Sequence, residues 1–408
     1  MTYVLRSFLA IAALLLVAFG ALSRPLRDFV EYWTVSHLLV QGGHCYSLTE
    51  VFFVEKALGF SESVPLMVVN PPWILPLIAP LGFLRSYPLA WMLWMGMSAS
   101  ILCISSWILL EIYAPNVRLR EVSDGLLTRS LFIFSFFPTL LLLRFGQITV
   151  LVLLGLCGFL WFQPKRPLLA GCVLSLAALK PHLVYLVLCA VFIEAIYRRS
   201  FKVLVGFLGT ILGLSAIAEV LNPGALAGYY TLSHSPYVHL YPSALGLILR
   251  LPFPPQLDTF SLQFVPPACG TIWFVFYWIR HRRQWQWTSQ MPIVVTASVL
   301  TAAYGWLFDQ VLLAIPVVAI FAALGVRLGR LPAKAVWIYT ALNFVLVVGS
   351  IPKSFPPLYL IAPIPILIML RGGGGDASGK IVAHGVGRNM AAHFWSYRCL
   401  QRRMLDDR

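Results

Sequence analysis

Residues Arg24 to Asn70 read RPLRDFVEYWTVSHLLVQGGHCYSLTEVFFVEKALGFSESVPLMVVN, and they interrupt an otherwise apolar chain with five carboxylates: Asp28, Glu31, Glu50, Glu55 and Glu62. No other stretch is as acidic. A polar loop of this length, directly after an apolar run, is either a solvated connector or a site held against a membrane surface. The remainder of the chain has to decide between the two.

Of the 408 residues, 59% are hydrophobic and 11% charged. Soluble domains carry roughly 25% charged residues. With a mean hydropathy of +0.82, the composition is that of an all-α polytopic membrane protein. The net charge of +15 does not imply a nucleic-acid partner, because the basic residues sit in short clusters between apolar runs, as the positive-inside rule requires. The seven cysteines (Cys45, Cys103, Cys157, Cys172, Cys189, Cys269 and Cys399) mostly lie within apolar runs. They show neither a disulfide framework nor metal-ligand spacing. No phosphate-binding or dinucleotide fingerprint occurs either, and the GGGG after Arg371 lacks the strand and helix such a motif needs. The expectation is a protein without metal or cofactor.

A crossing needs ~20 apolar residues, or ~17 at the short end. Twelve runs are candidates, several of them short: 4–23, 88–112, 126–143, 146–163, 167–180, 181–197, 203–221, 260–280, 290–308, 309–326, 335–350 and 355–370. The first resembles a signal peptide but is long enough to span. The segment 71–84, PPWILPLIAPLGFL, is also apolar, but its prolines at 71, 72, 76 and 80 oppose a continuous helix. If 71–84 does not cross, 22 of the 30 Lys and Arg fall on one side, with both termini, which is then cytoplasmic. Residues 1–370 then form one transmembrane domain, with outer loops at 24–87 and 222–258. The tail 371–408 is a flexible basic cytoplasmic appendage. The acidic loop, Gly146-Gln147, Lys180-Pro181, the loop 222–258 and Asp309 all emerge on the outer face. A site at headgroup level needs that convergence, whereas a transporter should place such groups near the midplane.

Each polar feature has a chemical and a structural reading. On a helix starting near Asp28, that residue shares a face with Glu31 and Tyr32. A carboxylate so placed can take a proton from an attacking hydroxyl, or Asp28 can simply cap the helix with Phe29 and Trp33 as interfacial anchors. Lys180, with His182 beside it, can neutralise a lipid phosphate or merely snorkel. Arg144 can meet a phosphate and Gln147 a sugar hydroxyl, or Gln147 can join helices. Asp309, in an apolar stretch, can position a hydroxyl or pair with an arginine. The loop 222–258 offers His234, Tyr237 and Arg250 among several tyrosines, which suits sugar stacking or an interfacial belt equally. A lipid or glycan transporter, or flippase, without catalytic activity remains the alternative from another class.

Taken in order, DFVEYWTVSHLLVQGGHCYSL, NPPWILPLIAPLGFL, FGQITVLVLLGL, AALKPHLVYL and YGWLFDQVLLAIP resemble glycosyltransferase family 87, over about residues 24 to 330. That resemblance implies a GT-C-type fold with interfacial helices in the first outer loop. It also implies inverting transfer of a hexose, mannose in the members that build phosphatidylinositol mannosides, from a polyprenyl-phosphate sugar to a lipid or glycan acceptor outside the cytoplasm. The family's catalytic aspartate maps to Asp28, with Glu31 a second carboxylate able to share the role. Lys180, Arg144 and Arg250 are then the expected phosphate ligands. Gln147, Asn70, His182, His234, Tyr237 and Asp309 are the expected substrate contacts.

Overall fold

The computed structural model describes residues 27–114, 133–234, 245–246, 249, 252, 260–328, 333–350 and 358–372. The expected span 4–23, the start of 126–143, Tyr237, Arg250 and almost all of the tail lie outside the described residues. Every regular element among the described residues is helical.

Helix α1 (Arg27–Gln41) opens the description. Phe29, Val30, Tyr32, Trp33, Val35 and Leu38 are all buried, so α1 is enclosed nearly all round and not laid on a surface. After it, α2 (Leu48–Ala57) starts where the Ser47 hydroxyl accepts the Glu50 N–H at 3.3 Å. The proline-rich segment forms α3 (Pro72–Phe83), which alternates between 3₁₀ and α geometry. Its prolines remove the donors that a continuous α-helix needs. At this length α3 falls well short of the ~20 residues of an ordinary crossing.

The partner of α3 is α1. Ser36 donates its hydroxyl to the Ile78 carbonyl at 2.9 Å, and the Trp33 indole N–H donates to Leu84 at 3.2 Å. Gly82 makes the approach possible, since a Cβ there would stand 2.0 Å from the Ser36 carbonyl oxygen.

The chain continues through α4 (Tyr87–Tyr113), α5 (Phe137–Phe145), α6 (Thr149–Phe162), α7 (Pro167–Leu179), α8 (Tyr185–Tyr197), α9 (Lys202–Leu221) and α10 (Ala225–Ser233). It then forms α11 (Ser261–Gln284), α12 (Trp287–Thr301), α13 (Leu307–Leu324) and α14 (Ala333–Gly349), before two short helices, Leu358–Ile361 and Pro363–Gly372. Among the described residues, four helices, α4, α9, α11 and α13, are long and apolar enough to cross a membrane. The expected count of twelve is larger because α6, α7 and α8 are apolar but short, at 13 or 14 residues for α6 and α8. The expected span 290–308 also breaks. Its helix stops at Thr301, and the chain restarts as a 3₁₀ turn at Leu307 because the Asp309 carboxylate captures the Trp306 N–H.

Glycines set the closest helix contacts. A Cβ on Gly171 of α7 would lie 2.0 Å from the Val203 carbonyl of α9, and one on Gly206 of α9 would lie 2.1 Å from that of Leu168. Between α6 and α7, Gly155 stands against the Ala177 backbone in the same way, at 2.8 Å. Small residues let backbones approach where the surrounding lipid provides no hydrophobic drive. The α6–α7 contact brings the start of one helix beside the end of the other, and with them Gln147 and Lys180.

A candidate active site joining four segments

Four of the expected residues, distant in sequence, meet in one hydrogen-bonded row. Gln147 Nε2 donates to Asp28 Oδ2 at 2.5 Å, and Gln147 Oε1 accepts from Lys180 Nζ at 2.8 Å. Lys180 Nζ also donates to Asp309 Oδ1 at 2.8 Å. The row therefore runs Asp28, Gln147, Lys180, Asp309.

Local backbone chemistry places each member. At the end of α5 the chain turns through Gly146 at φ +68°, a left-handed C-cap that glycine adopts without steric cost. Its carbonyl accepts the Trp94 indole N–H at 2.8 Å. This turn points Gln147 at α1. Lys180 precedes a proline, which pushes it out of helical geometry, and it adopts φ −135°, ψ 69° between two 3₁₀ segments. The Leu179 carbonyl exposed there accepts the Asn70 amide at 2.9 Å, so Asn70 closes a helix end from below α3's first proline. Asp309 sits in the first turn of α13.

The Lys180–Asp309 end is sealed. Lys180 is 8% exposed and Asp309 2%. One Asp309 oxygen receives the Thr149 hydroxyl at 2.5 Å as well as Lys180, and the other receives the Trp306 N–H at 3.0 Å. The ammonium also lies 5.1 Å from the centre of the Phe308 ring. Sequence reading assigned no role to Thr149.

The Asp28 end is more open, with Asp28 and Glu31 both half-buried. Burial, and then the Asp28 carboxylate, raise the Glu31 carboxyl well above its ordinary range, while a hydrogen bond from Tyr32 opposes them. The Tyr32 hydroxyl in turn lies 3.3 Å from Gln147 Oε1. A protonated Glu31 can donate to Tyr32 while Tyr32 donates to Gln147. Glu55 in α2 is likewise pushed up to about 7 by burial, partly offset by the Leu66 N–H that both its oxygens accept.

His182 packs against Tyr304, with ring centroids 4.5 Å apart. Beyond it, Pro181, His182, Tyr185, Leu188, Cys189 and Phe192 line an open, apolar groove of about 500 Å³ along α8. Arg144 is exposed in the last turn of α5. His234 is exposed at the end of α10, where its ring nitrogen meets the Tyr230 carbonyl at 2.8 Å. The row does not include His234, and Tyr237 and Arg250 lie outside the described residues. Among the described residues no three His, Cys, Asp or Glu side chains converge as a metal site would require.

A buried polar row among apolar helices, with half-buried carboxylates at one end, fits an integral membrane enzyme. The chain belongs to glycosyltransferase family 87, whose model matches residues 69–325, and is thus a membrane glycosyltransferase. The match takes in Gln147, Lys180 and Asp309 and begins after Asp28, which is tied to them by its hydrogen bond. No curated protein and no solved structure matches the chain.

Proposed function

We propose that this glycosyltransferase moves a hexose from a polyprenyl-phosphate donor to a hydroxyl of a lipid or glycan acceptor, with inversion, on the extracytoplasmic face. Mannose is the first sugar to try, and both termini are cytoplasmic in this reading. The carrying observation is the hydrogen bond from Gln147 to Asp28, which joins the acidic first loop to residues within the family match. Asp28 is the general base. Its carboxylate takes the proton of the acceptor hydroxyl as that oxygen attacks the anomeric carbon, and the polyprenyl phosphate leaves from the opposite face. Glu31, raised by burial and by Asp28, is the poorer base because it holds its proton. The leaving phosphate needs only cationic stabilisation, for which Arg144 and Arg250 are the candidates. The groove along α8 suits the prenyl chain, and His182 at its head suits a sugar or phosphate hydrogen bond.

The test is transfer in membranes containing wild type or Asp28→Asn at equal expression, with radiolabelled polyprenyl-phosphate sugars and total lipid extract as acceptor. Transfer by wild type and its loss in the variant is the expected result. Equal activity in the variant would move the base to Glu31, and no transfer with any donor would overturn the reading.

A further inference from the structure

We infer that the Lys180–Asp309 pair is a positioning device for Asp28, acting through Gln147, and not a seat for the donor phosphate. This rests on the proposed role of Asp28 for its effect on rate, though the protonation of Asp28 can be read without any substrate. The first argument is saturation. Lys180 is buried with a carboxylate at 2.8 Å and an amide oxygen at 2.8 Å. An incoming phosphate would have to compete with a buried carboxylate that also holds Thr149 and the Trp306 N–H, and separating such a pair leaves uncompensated charges.

The second argument is the orientation of Gln147. An amide has one accepting end and one donating end. Lys180 and Tyr32 both present donors to the same end, so the oxygen must face them and the NH₂ must face Asp28. Turning the amide over would set its NH₂ against an ammonium and its oxygen against a carboxylate. Lys180 therefore fixes which end of Gln147 meets Asp28, and Asp309 with Thr149 fixes Lys180. The consequence is electrostatic as well as geometric, because a cation stands two hydrogen bonds from the base and its counter-charge stands one further on.

Other charged or titratable groups lie on α1 and on the elements packed against it. On α1 these are Arg27, Glu31, Tyr32 and His37, on α2 Glu50, Glu55 and Lys56, on α4 Tyr87 and, at its far end, Glu111, on α5 Arg144, and beside Lys180 in sequence there is His182. α3 contributes none. All of these stay constant across the following series.

Dicyclohexylcarbodiimide modifies protonated carboxyls in membrane proteins, so the purified full chain is labelled across a pH series and the Asp28 peptide quantified by mass spectrometry. Gln147→Ala, which removes the donor, and Lys180→Gln, which removes the cation but keeps donors for Gln147 and Asp309, should each raise the pH of half-labelling by about one unit. Asp309→Asn, which unmasks the ammonium, should lower it by a similar amount. A pair that only fastens α7 to α13 would alter stability without moving Asp28 in opposite directions. In transfer assays the three variants should reduce kcat about tenfold with the donor KM unchanged.

The inference fails if the half-labelling pH of Asp28 stays fixed, or if Lys180→Gln and Asp309→Asn move it the same way. It also fails if Lys180→Gln raises only the donor KM. Should Asp309→Asn not accumulate, the other two variants still decide, since both must move Asp28 upward. Absence of transfer by wild type would sink the proposed reaction and leave the labelling result standing.

Discussion

The two ends of the polar row are built on opposite principles. At the Asp28 end, two carboxylates stand half-buried on one helix face, and the Glu31 carboxyl is raised well above its ordinary range. At the other end, one carboxylate and one ammonium are almost fully buried, and both Asp309 oxygens are occupied. A group that must exchange a proton has to stay within reach of substrate. A group that must hold geometry gains from saturation, since a buried charge is tolerable only when paired and hydrogen-bonded. The difference separates chemistry from support within one cluster of polar residues.

The sharpest way to break that comparison is Asp28→Asn, which should cost ~10²–10⁴-fold in transfer, the range for a general base, while leaving thermal stability near wild type. If stability collapses instead, Asp28 belongs to the supporting end. Lys180→Met should do the reverse in kind. With the Asp309 carboxylate left buried without its cation, folding should lose ~3–5 kcal/mol, measurable as a lower temperature at which the detergent-purified protein ceases to be monodisperse. A normal melting temperature in this variant would mean that Asp309 has another counter-charge.

The hinge between the two ends is Gly146. Alanine there would hold a left-handed φ of +68° and bring its Cβ to 2.7 Å from that of Phe29. A loss of ~1–3 kcal/mol is expected, together with reduced transfer as Gln147 moves away from Asp28; wild-type kinetics would show that the turn does not aim Gln147.

The smallest effect concerns Glu31. Its folded-state value is raised, so the folded chain holds this proton more tightly than the unfolded chain does. Its contribution is thus fully present below the unfolded value of about 4.3 and is lost as pH rises toward the folded one. Glu31→Gln should leave transfer within severalfold of wild type. It should also raise stability relative to wild type increasingly above that pH, with no difference in acid. Equal melting curves at all pH values would indicate that Glu31 is not strained by burial.

Reading along the chain found most of the members of this site and not their relations. Asp28, Gln147, Lys180 and Asp309 each stand out as polar residues in apolar surroundings. Counting positive charge on each side of the membrane was enough to expect them on one face. That reasoning left Lys180 and Asp309 each with a substrate and a structural reading, because one-dimensional sequence cannot show that they neutralise each other. Asn70, expected to touch substrate, caps the end of α7. Thr149 was passed over because a lone threonine in an apolar run carries no period or motif. Helix length was likewise hidden: hydropathy registers α6, α7 and α8 as apolar but does not measure how far each helix runs before it turns.

Composition and hydropathy by themselves determined that this protein is helical and membrane-embedded, since a chain so poor in charge has no other stable solvent and a backbone in lipid must satisfy its own hydrogen bonds. The order of its motifs determined the family. Only the tertiary structure decided which polar groups pair, because pairing depends on glycine contacts such as Gly155 against Ala177 and on the left-handed turn at Gly146, which set distances to a few tenths of an ångström between residues more than a hundred positions apart.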